Sequence, residues 1–519
     1  MSINRTKNAL RNITAGFGLK IYQTVVPFLM RTAMIQLMGV EYLGLNSLFS
    51  SILHMLNLAE LGVGVAMVFS MYKPVAEDDT RKICALMRLY RRYYRLIGLL
   101  IGAVGLALTP FIPRLISGEV PDGINLYALY LLNLGATVVS YWLFAYRNCL
   151  LNAHQRKDVA SIITLLTNVL QHALQLAVLF FLRNYYLYVI VMLLGTALTN
   201  VVTGLVTMRL FPQYHPEGAL EPGEVRQVNG KIRDLFTAKL GTVVLQYADT
   251  IVMSAFLGLT ALAVYQNYYF ILSAVLAFVE MMISSITAGL GHSFVTESRE
   301  KNYRDLLKFS FLFLWMTGTC VCCFLGMYQP FMEIWVGQEL MLPFGMVICF
   351  ALYFYVYTLN RLLSIYKDAA GLWHQDRFNP LVTALLNLAL NLLLVKPLGL
   401  YGILLATILC ISLVSIPWQL RNLFTQFFDG KGFRGFVLVI LGSLGAMIAA
   451  GAAVCLLCSL INISPWVNLG LSVLVSVTAP NLIFLLLLHR SGQFRPAVQF
   501  LDRLTGRKLR LEKRLFCGK

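Results

Sequence analysis

Charged residues are scarce in this chain. Asp, Glu, Lys and Arg make up 13% of its 519 residues, whereas an ordinary soluble protein carries about 25%. Long polar stretches are missing too, apart from one run near positions 210–239. These two absences exclude an ordinary soluble protein and leave no separate soluble domain to house an active site, so we expect a protein that is not an enzyme.

Cysteine is absent from every predicted external loop, although the chain contains ten. Two pairs, Cys320–Cys323 and Cys455–Cys458, have the spacing of redox or metal motifs. Both lie in apolar runs without a neighbouring histidine, where cysteine acts as a small core residue. We therefore expect no metal site and no cofactor.

Apolar residues are abundant, at 58% of the chain, and the mean hydropathy is +0.71. Apolar runs of about 20 residues, the length that spans a bilayer, recur from end to end. The sequence predicts an all-α polytopic membrane protein whose first helix is retained rather than cleaved as a signal peptide. The fourteen predicted spans are 13–38, 43–71, 92–113, 126–146, 159–182, 185–208, 236–257, 261–291, 307–328, 343–363, 379–395, 400–420, 435–459 and 466–489.

The net charge of +18 is explained by membrane topology. Starting from a cytoplasmic N-terminus and alternating fourteen spans, 37 of the 42 Lys and Arg fall on the cytoplasmic side and three outside. Lys20 and Arg31 lie within the first span. This follows the positive-inside rule, so both termini are predicted to be cytoplasmic. Because the basic excess is spread over all cytoplasmic segments, nucleic-acid binding is not expected.

An internal repeat divides the chain. Residues 14–23 resemble 237–246, residues 38–45 resemble 257–264, and the pair at 154–155 matches 374–375, all at an offset near 220. Ordered matches at one offset predict two related six-helix lobes in the same orientation. The predicted organisation is an N-terminal lobe (1–210), a cytoplasmic linker (211–235), a C-terminal lobe (236–424), helices 13 and 14 (425–490) and a basic amphipathic cytoplasmic tail (491–519). We expect the tail to lie on the anionic leaflet.

Polar side chains form stripes on four of these helices, those predicted at 13–38, 43–71, 236–257 and 261–291. A charge at the centre of a membrane helix costs about 2.5–3.5 kcal/mol, so such residues are expected to face a polar cavity or a partner. The residues on these stripes that are expected to face such a cavity are Lys20, Arg31, Gln23, Asn46, His54, Asn57, Gln246 and Gln266. Three carboxylates also lie on these helices, Glu60, Asp249 and Glu280.

Structural roles are alternatives for several of these residues. Lys20 could extend to the cytoplasmic interface, and Arg31 could form a static bridge with Glu60. The tyrosines at 353, 355 and 357 could stack on sugars, but anchoring at the membrane interface is the preferred interpretation.

The motifs resemble those of a known family. Gly39-Val-Glu-Tyr-Leu-Gly44, the run 58–64, and Asn387 and Asn391 leading into the glycine turn at 397–403 resemble the polysaccharide transporters of the MOP superfamily, which include O-antigen and capsule repeat-unit flippases. The resemblance implies two pseudo-symmetric six-helix lobes with two C-terminal helices appended, as in MOP and MATE proteins. It also implies that the helices bearing polar stripes line a central cleft. The eight polar and cationic residues named above are then the predicted substrate-binding residues, and the three carboxylates are the candidates for coupling transport to an ion.

The resemblance further implies a flippase of the bacterial cytoplasmic membrane that moves undecaprenyl-pyrophosphate-linked oligosaccharides by alternating access, coupled to H⁺ or Na⁺. Expected partners are the lipid-linked oligosaccharide, membrane lipids and polysaccharide polymerase machinery, and a monomer is expected. A lipid II-type flippase and a MATE-type drug or cation antiporter remain alternatives. A membrane glycan polymerase or ligase is an alternative of a different class, but the predicted external loops are short for it.

Overall fold

A computed structural model describes residues 5–118 and 120–504, apart from the side chains of positions 5–10, 13, 59, 238, 284–286, 288 and 504. The described residues contain helices and no strand. The α-helices are α1 Arg5–Leu37, α2 Val40–Leu56, α3 Val63–Ala76, α4 Thr80–Leu108, α5 Leu126–Trp142, α6 Asn148–Ala153, α7 Lys157–Ala177, α8 Tyr185–Leu210, α9 Pro222–Thr296, α10 Arg299–Val336, α11 Phe344–Ala369, α12 Trp373–Asp376, α13 Asn379–Leu398, α14 Leu400–Cys410, α15 Ile416–Asn422, α16 Phe433–Ser459, α17 Pro465–Leu488 and α18 Phe494–Leu504.

Ten helical stretches of the described chain are long and apolar enough to cross a membrane, or eleven if the bent pair Leu126–Trp142 and Ala145–Ala153 is one span. Helix α1 has 33 residues but its polar side chains lower its hydropathy, and α2 has only 17. Helix α9 is counted once, although it contains two predicted spans. The polytopic helical architecture is therefore present, and the count of fourteen stays a prediction.

The chain forms two compact units, residues 1–263 and 264–519. The boundary falls inside α9, whereas the sequence places a linker at 211–235, so the predicted lobe assignment stays a prediction. Large side chains fill each unit. Phe49 and Tyr130 are buried in the first, where the Tyr130 hydroxyl donates to the Gly105 carbonyl at 3.0 Å, and Phe350 and Phe354 are buried in the second.

Two corners of the first unit fall at matched positions of the internal repeat. Gly39, with φ 123° and ψ 160°, separates α1 from α2. Gly258, with φ 86° and ψ 176°, kinks α9. A positive φ of this kind strains residues that carry a Cβ. The same backbone device thus ends the first helix of each repeat and begins the second, which supports the proposed duplication.

The described part of the tail differs from its predicted position on the lipid surface. In α18, the side chains of Phe494, Ala497 and Val498 are buried against α10 and α17. The Phe494 and Trp315 rings stack with centroids 6.1 Å apart. The apolar face of this amphipathic helix is therefore covered by protein. Residues 505–519 of the predicted tail lie outside the described residues.

Candidate functional site

The predicted span 43–71 is a broken helix. Helix α2 ends at Leu56, a 3₁₀ turn covers Asn57–Glu60, and Gly62 adopts φ 87° before α3 begins. A Cβ at Gly62 would lie 2.7 Å from the Leu235 Cβ. The backbone at the helix break therefore packs closely against α9 near Leu235. Breaks at membrane depth are tolerated where the backbone lines a cavity or is buried in protein. This break places Glu60 at the end of the turn.

Two tyrosine hydroxyls hold the Glu60 carboxylate. Tyr94 of α4 donates to Oε1, and Tyr141 of α5 donates to Oε2 at 2.7 Å. The Tyr90 hydroxyl donates in turn to the Tyr94 oxygen at 2.7 Å. These partners differ from the Arg31 bridge considered from the sequence. Phenols bonded to both oxygens stabilise a carboxylate without neutralising its charge.

A polar cavity of about 480 Å³ opens beside this carboxylate. Asn57 and Glu60 line it together, and the Asn57 Oδ1 atom is buried without a hydrogen-bond partner in the described structure. The other polar lining residues are Tyr94, Thr137, Ser140, Tyr141, Asn148, Thr164, Thr196, Thr199, Asn200 and Thr203. A cavity of this size, rich in hydroxyl and amide groups, is suited to water or a hydrated cation.

The two tyrosines that α4 contributes to this site, Tyr90 and Tyr94, are not among the residues predicted from the sequence. Helix α4 begins at Thr80, whereas the predicted span began at 92. Residues 80–91 lie before the predicted span, but they belong to the same helix, which buries Tyr90 and Tyr94. The spacing of these tyrosines, one helical turn apart, was the available signal.

The remaining predicted residues of the first unit are dispersed. His54 is exposed and stacks on Tyr247 with ring centroids 4.8 Å apart, which brings it beside the segment that carries Gln246. Lys20, Gln23 and Gln246 have exposed side chains, and Arg31, Asn46 and Asp249 are half-buried. Neither Lys20 nor Arg31 lines the cavity beside Glu60.

An ion pair occupies the second unit. The Glu280 carboxylate on α9 receives two bonds from the Arg361 guanidinium on α11, with Nη2 to Oε2 at 2.7 Å and Nε to Oε1 at 2.5 Å. Arg361 lies within the apolar helix 344–369. Arg361 lies two residues before the predicted end of the span 343–363 and counts among the cytoplasmic basic residues in the charge partition, so it is not among the predicted site residues. Gln266, also on α9, is half-buried.

Tyrosines continue along the same helix face from Arg361. Tyr353 and Tyr357 precede it by two turns and one turn, and their rings stack with centroids 5.7 Å apart. The ring centroid of Tyr269 on α9 lies 6.3 Å from that of Tyr353. Tyr353 and Tyr355 are 7% and 4% exposed, so the expectation that these two anchor the membrane interface is wrong.

The asparagines of α13 form a buried ladder. The Asn387 side chain donates to the Thr407 hydroxyl at 2.9 Å, and Asn391 donates to the Asn387 carbonyl oxygen at 3.1 Å. The first bond joins α13 to α14, and the second lies within α13. A buried hydrogen bond between side chains of two membrane helices helps to fix their packing.

Comparisons with known proteins identify the fold. No family model matches the sequence, and there is no match among curated proteins. The lipid II flippase MurJ, in an inward closed conformation, is similar with TM-score 0.66 and 14% identity, over 92% of this chain and 98% of that chain. An inward-facing multidrug resistance MATE family transporter of the MOP superfamily has TM-score 0.61 and 14% identity, over 81% and 99%.

A third similar structure is a MOP superfamily transporter from Pyrococcus furiosus, described by a binding pocket of reverse polarity. It has TM-score 0.52 and 14% identity, over 80% of this chain and 94% of that one. At such identities the likeness establishes the fold. The chain has the fold of MOP superfamily transporters, and the predicted fold class is confirmed.

Proposed function

We propose that this protein is a flippase that moves undecaprenyl-pyrophosphate-linked oligosaccharide repeat units across the bacterial cytoplasmic membrane for polysaccharide biosynthesis. The observation that carries the proposal is the presence of Lys20 and Arg31 within α1, in a chain that has the fold of MOP superfamily transporters. Cations are kept inside a membrane helix at a cost. A substrate with an anionic pyrophosphate explains why that cost is tolerated.

The physical task of such a flippase is to carry a polar head group through about 30 Å of hydrocarbon while its polyprenyl tail stays in lipid. Pyrophosphate and sugar hydroxyls cannot cross unaided, because each loses its hydrogen bonds to water. Lysine and arginine on α1 replace those bonds, and arginine adds a bidentate grip. The two residues are eleven positions apart, about 16 Å along the helix, so they act on successive positions of the head group.

Coupling to H⁺ or Na⁺ is assigned to Glu60 in the first unit, with Asp249 as a second candidate. The Glu60 carboxylate lies at a helix break and beside a polar cavity, so protonation or cation binding can rearrange its hydrogen bonds with Tyr94 and Tyr141. A change at a break alters the direction of the helix that follows it, which is the type of local event that drives alternating access.

The wider assignment follows from the same proposal. Both termini are cytoplasmic, the protein acts as a monomer, and membrane lipids and the polysaccharide polymerase machinery are its partners. A lipid II-type flippase is the second candidate, and it is favoured by the similarity to MurJ over more than nine-tenths of this chain. A MATE-type antiporter is less favoured because the cations of α1 suit an anionic substrate.

The test is polysaccharide export by Lys20→Ala and Arg31→Ala variants in cells that lack their own repeat-unit flippase. We expect surface polysaccharide to be lost in each variant at normal protein level, while the exposed control Lys73→Ala retains it. The wild-type chain is introduced in parallel into cells that lack their lipid II flippase. Unchanged polysaccharide in both α1 variants would contradict the substrate role, and rescue of only the second strain would assign lipid II instead.

A further inference from the structure

Two of the ion pairs in the second unit differ in their access to solvent. Lys367 and Asp376 are closed off, with side chains 12% and 5% exposed, and Asp376 also accepts a bond from Asn379 at 3.1 Å. Arg361 and Glu280 are open, with side chains 37% and 33% exposed. Closing an ion pair off from water costs desolvation of both charges, which excellent geometry and additional hydrogen bonds must offset. The open pair can instead be reached by a ligand.

The geometry of the open pair matches the recognition of an oxyanion. Arg361 uses two nitrogens on two oxygens of Glu280, and a guanidinium binds a phosphate in the same forked manner. The carboxylate therefore occupies the position that a phosphate group would take. Exposure of Glu280 allows water to solvate its carboxylate after displacement, so the exchange leaves no buried unpaired charge.

Tyrosine rings adjoin the pair. The half-buried Tyr357 lies one turn before Arg361 and stacks on the buried Tyr353, whose ring centroid lies 6.3 Å from that of Tyr269 on α9. Binding sites combine such aromatic side chains with a few polar groups that fix the orientation of the ligand. Here the aromatic rings lie beside one arginine, which suits a sugar attached to a charged phosphate.

We propose that Arg361, with Tyr357 beside it, is a subsite for the phosphate-linked end of an anionic glycolipid, and that Glu280 occupies this subsite until the ligand displaces it. This inference rests on the proposed function and adds a binding residue in the second unit. Glu280 then acts as an exchangeable internal anion. Its removal frees Arg361 for the ligand, whereas removal of Arg361 eliminates the subsite.

The test measures binding of undecaprenyl pyrophosphate, with neutral undecaprenol as the reference, to the full-length purified protein. We expect Glu280→Gln to raise the affinity for undecaprenyl pyrophosphate about tenfold and Arg361→Gln to lower it about tenfold, the scale of one charge-assisted contact. Undecaprenol binding should not change. Arg299→Gln is the matched control, since Arg299 pairs with Asp429 near the start of α10, and it should leave both affinities unchanged.

Arg361→Lys keeps the positive charge and can still pair with Glu280, but it loses the two-nitrogen geometry with which a guanidinium binds two oxygens at once. We expect it to melt at the wild-type temperature and to bind the pyrophosphate lipid less tightly, which provides a folded variant if Glu280→Gln is unstable. Lower or unchanged affinity in a folded Glu280→Gln protein, or unchanged affinity in Arg361→Lys, would overturn the proposal.

The two levels of the argument fail differently. If wild-type protein binds undecaprenyl pyrophosphate no better than undecaprenol, both the proposed substrate class and this subsite are wrong. If the wild type binds it and the variants at 280 and 361 bind equally well, the subsite is wrong and the proposed function stands.

Discussion

At the scale of single residues, Glu60 is a carboxylate of the first unit that lies both at a helix break and beside a polar cavity. It combines a helix break, two phenol donors and a polar cavity within one short segment. Each phenol bond to an ionised carboxylate contributes about 1.5–3 kcal/mol when its loss leaves the charge less satisfied. The ionised form is thus held in one orientation, and a protonated form requires the hydrogen bonds to be rearranged.

Replacement of this carboxylate should abolish the coupling of transport to an ion gradient while the protein remains folded. We expect Glu60→Gln to flip lipid-linked oligosaccharide in liposomes at a rate that no longer responds to an imposed pH or sodium gradient, because the amide cannot take up a proton or hold a cation by charge. The control Glu77→Gln changes an exposed carboxylate paired with Lys73 and should respond as wild type does. A Glu60→Gln protein still driven by either gradient would move the coupling role to another residue.

The cost of placing a charge in a membrane helix guided the prediction of single residues from the sequence, which did not reach contacts that depend on tertiary packing. Glu60 and Glu280 were singled out because an intramembrane charge is expensive. Tyr94, Tyr141 and Arg361 were missed because their roles depend on which helix face meets a distant carboxylate. The partner of Glu280 is 81 positions away, and no local pattern encodes such a distance.

At the scale of elements, α2 approaches the kink of α9 closely. A Cβ added to Gly44 would lie 2.2 Å from the Leu259 carbonyl oxygen, and the Thr260 hydroxyl donates to Glu41 at 3.3 Å. Small residues permit this approach between membrane helices. The contact lies next to the Gly258 corner, so the start of α2 and the bend of α9 support each other.

A methyl group at this contact should therefore be costly. We expect Gly44→Ala to destabilise the protein by about 1–3 kcal/mol, the usual penalty of overpacking, seen as a lower thermal unfolding midpoint in detergent. Gly16→Ala is the matched control, because a Cβ at Gly16 meets nothing within 4 Å and alanine favours the helix by about 0.5–1 kcal/mol. Equal midpoints for Gly44→Ala and wild type would show that the two helices can separate without cost.

Element boundaries were predicted well where helices are uniformly apolar. The predicted spans 185–208 and 435–459 correspond closely to α8 and α16. The span 43–71 is predicted as one helix because hydropathy carries no information about backbone angles, and the break depends on one glycine, Gly62, with a positive φ. The predicted span 92–113 begins later than α4 does, because the arginines on the exposed face of its first turns lower the hydropathy there.

At the scale of the whole molecule, the distribution of basic residues is the strongest topological signal. Only three Lys or Arg fall in predicted external loops, and such a bias sets the orientation of membrane proteins. An even number of spans then returns the chain to the side on which it began.

Reporter fusions test this topology directly. We expect a fluorescent protein fused after Lys519 to fluoresce and an alkaline phosphatase fused there to be inactive, since both would remain in the cytoplasm. Phosphatase inserted after Ile463, between α16 and α17, should be active because that loop is predicted to be external. Active phosphatase at the C-terminal fusion would require an odd number of spans.

The fold class was readable from the sequence, because apolar runs and a repeat are properties of the chain itself. The span count was harder, since the helices predicted to matter most for transport are also the least apolar. Helix α1 illustrates this conflict. Its polar side chains suggest a role in transport, and the same side chains lower its hydropathy, so it is not among the ten stretches that are clearly apolar enough to span a membrane.

The docking of α18 has a consequence for biosynthesis. Phe311 and Trp315 are made long before Phe494, because chains emerge from the N-terminal end. Until α18 is made, these two rings have the contacts that α17 gives them but lack those of Phe494. This apolar cluster is therefore completed only when the last described helix has been synthesised.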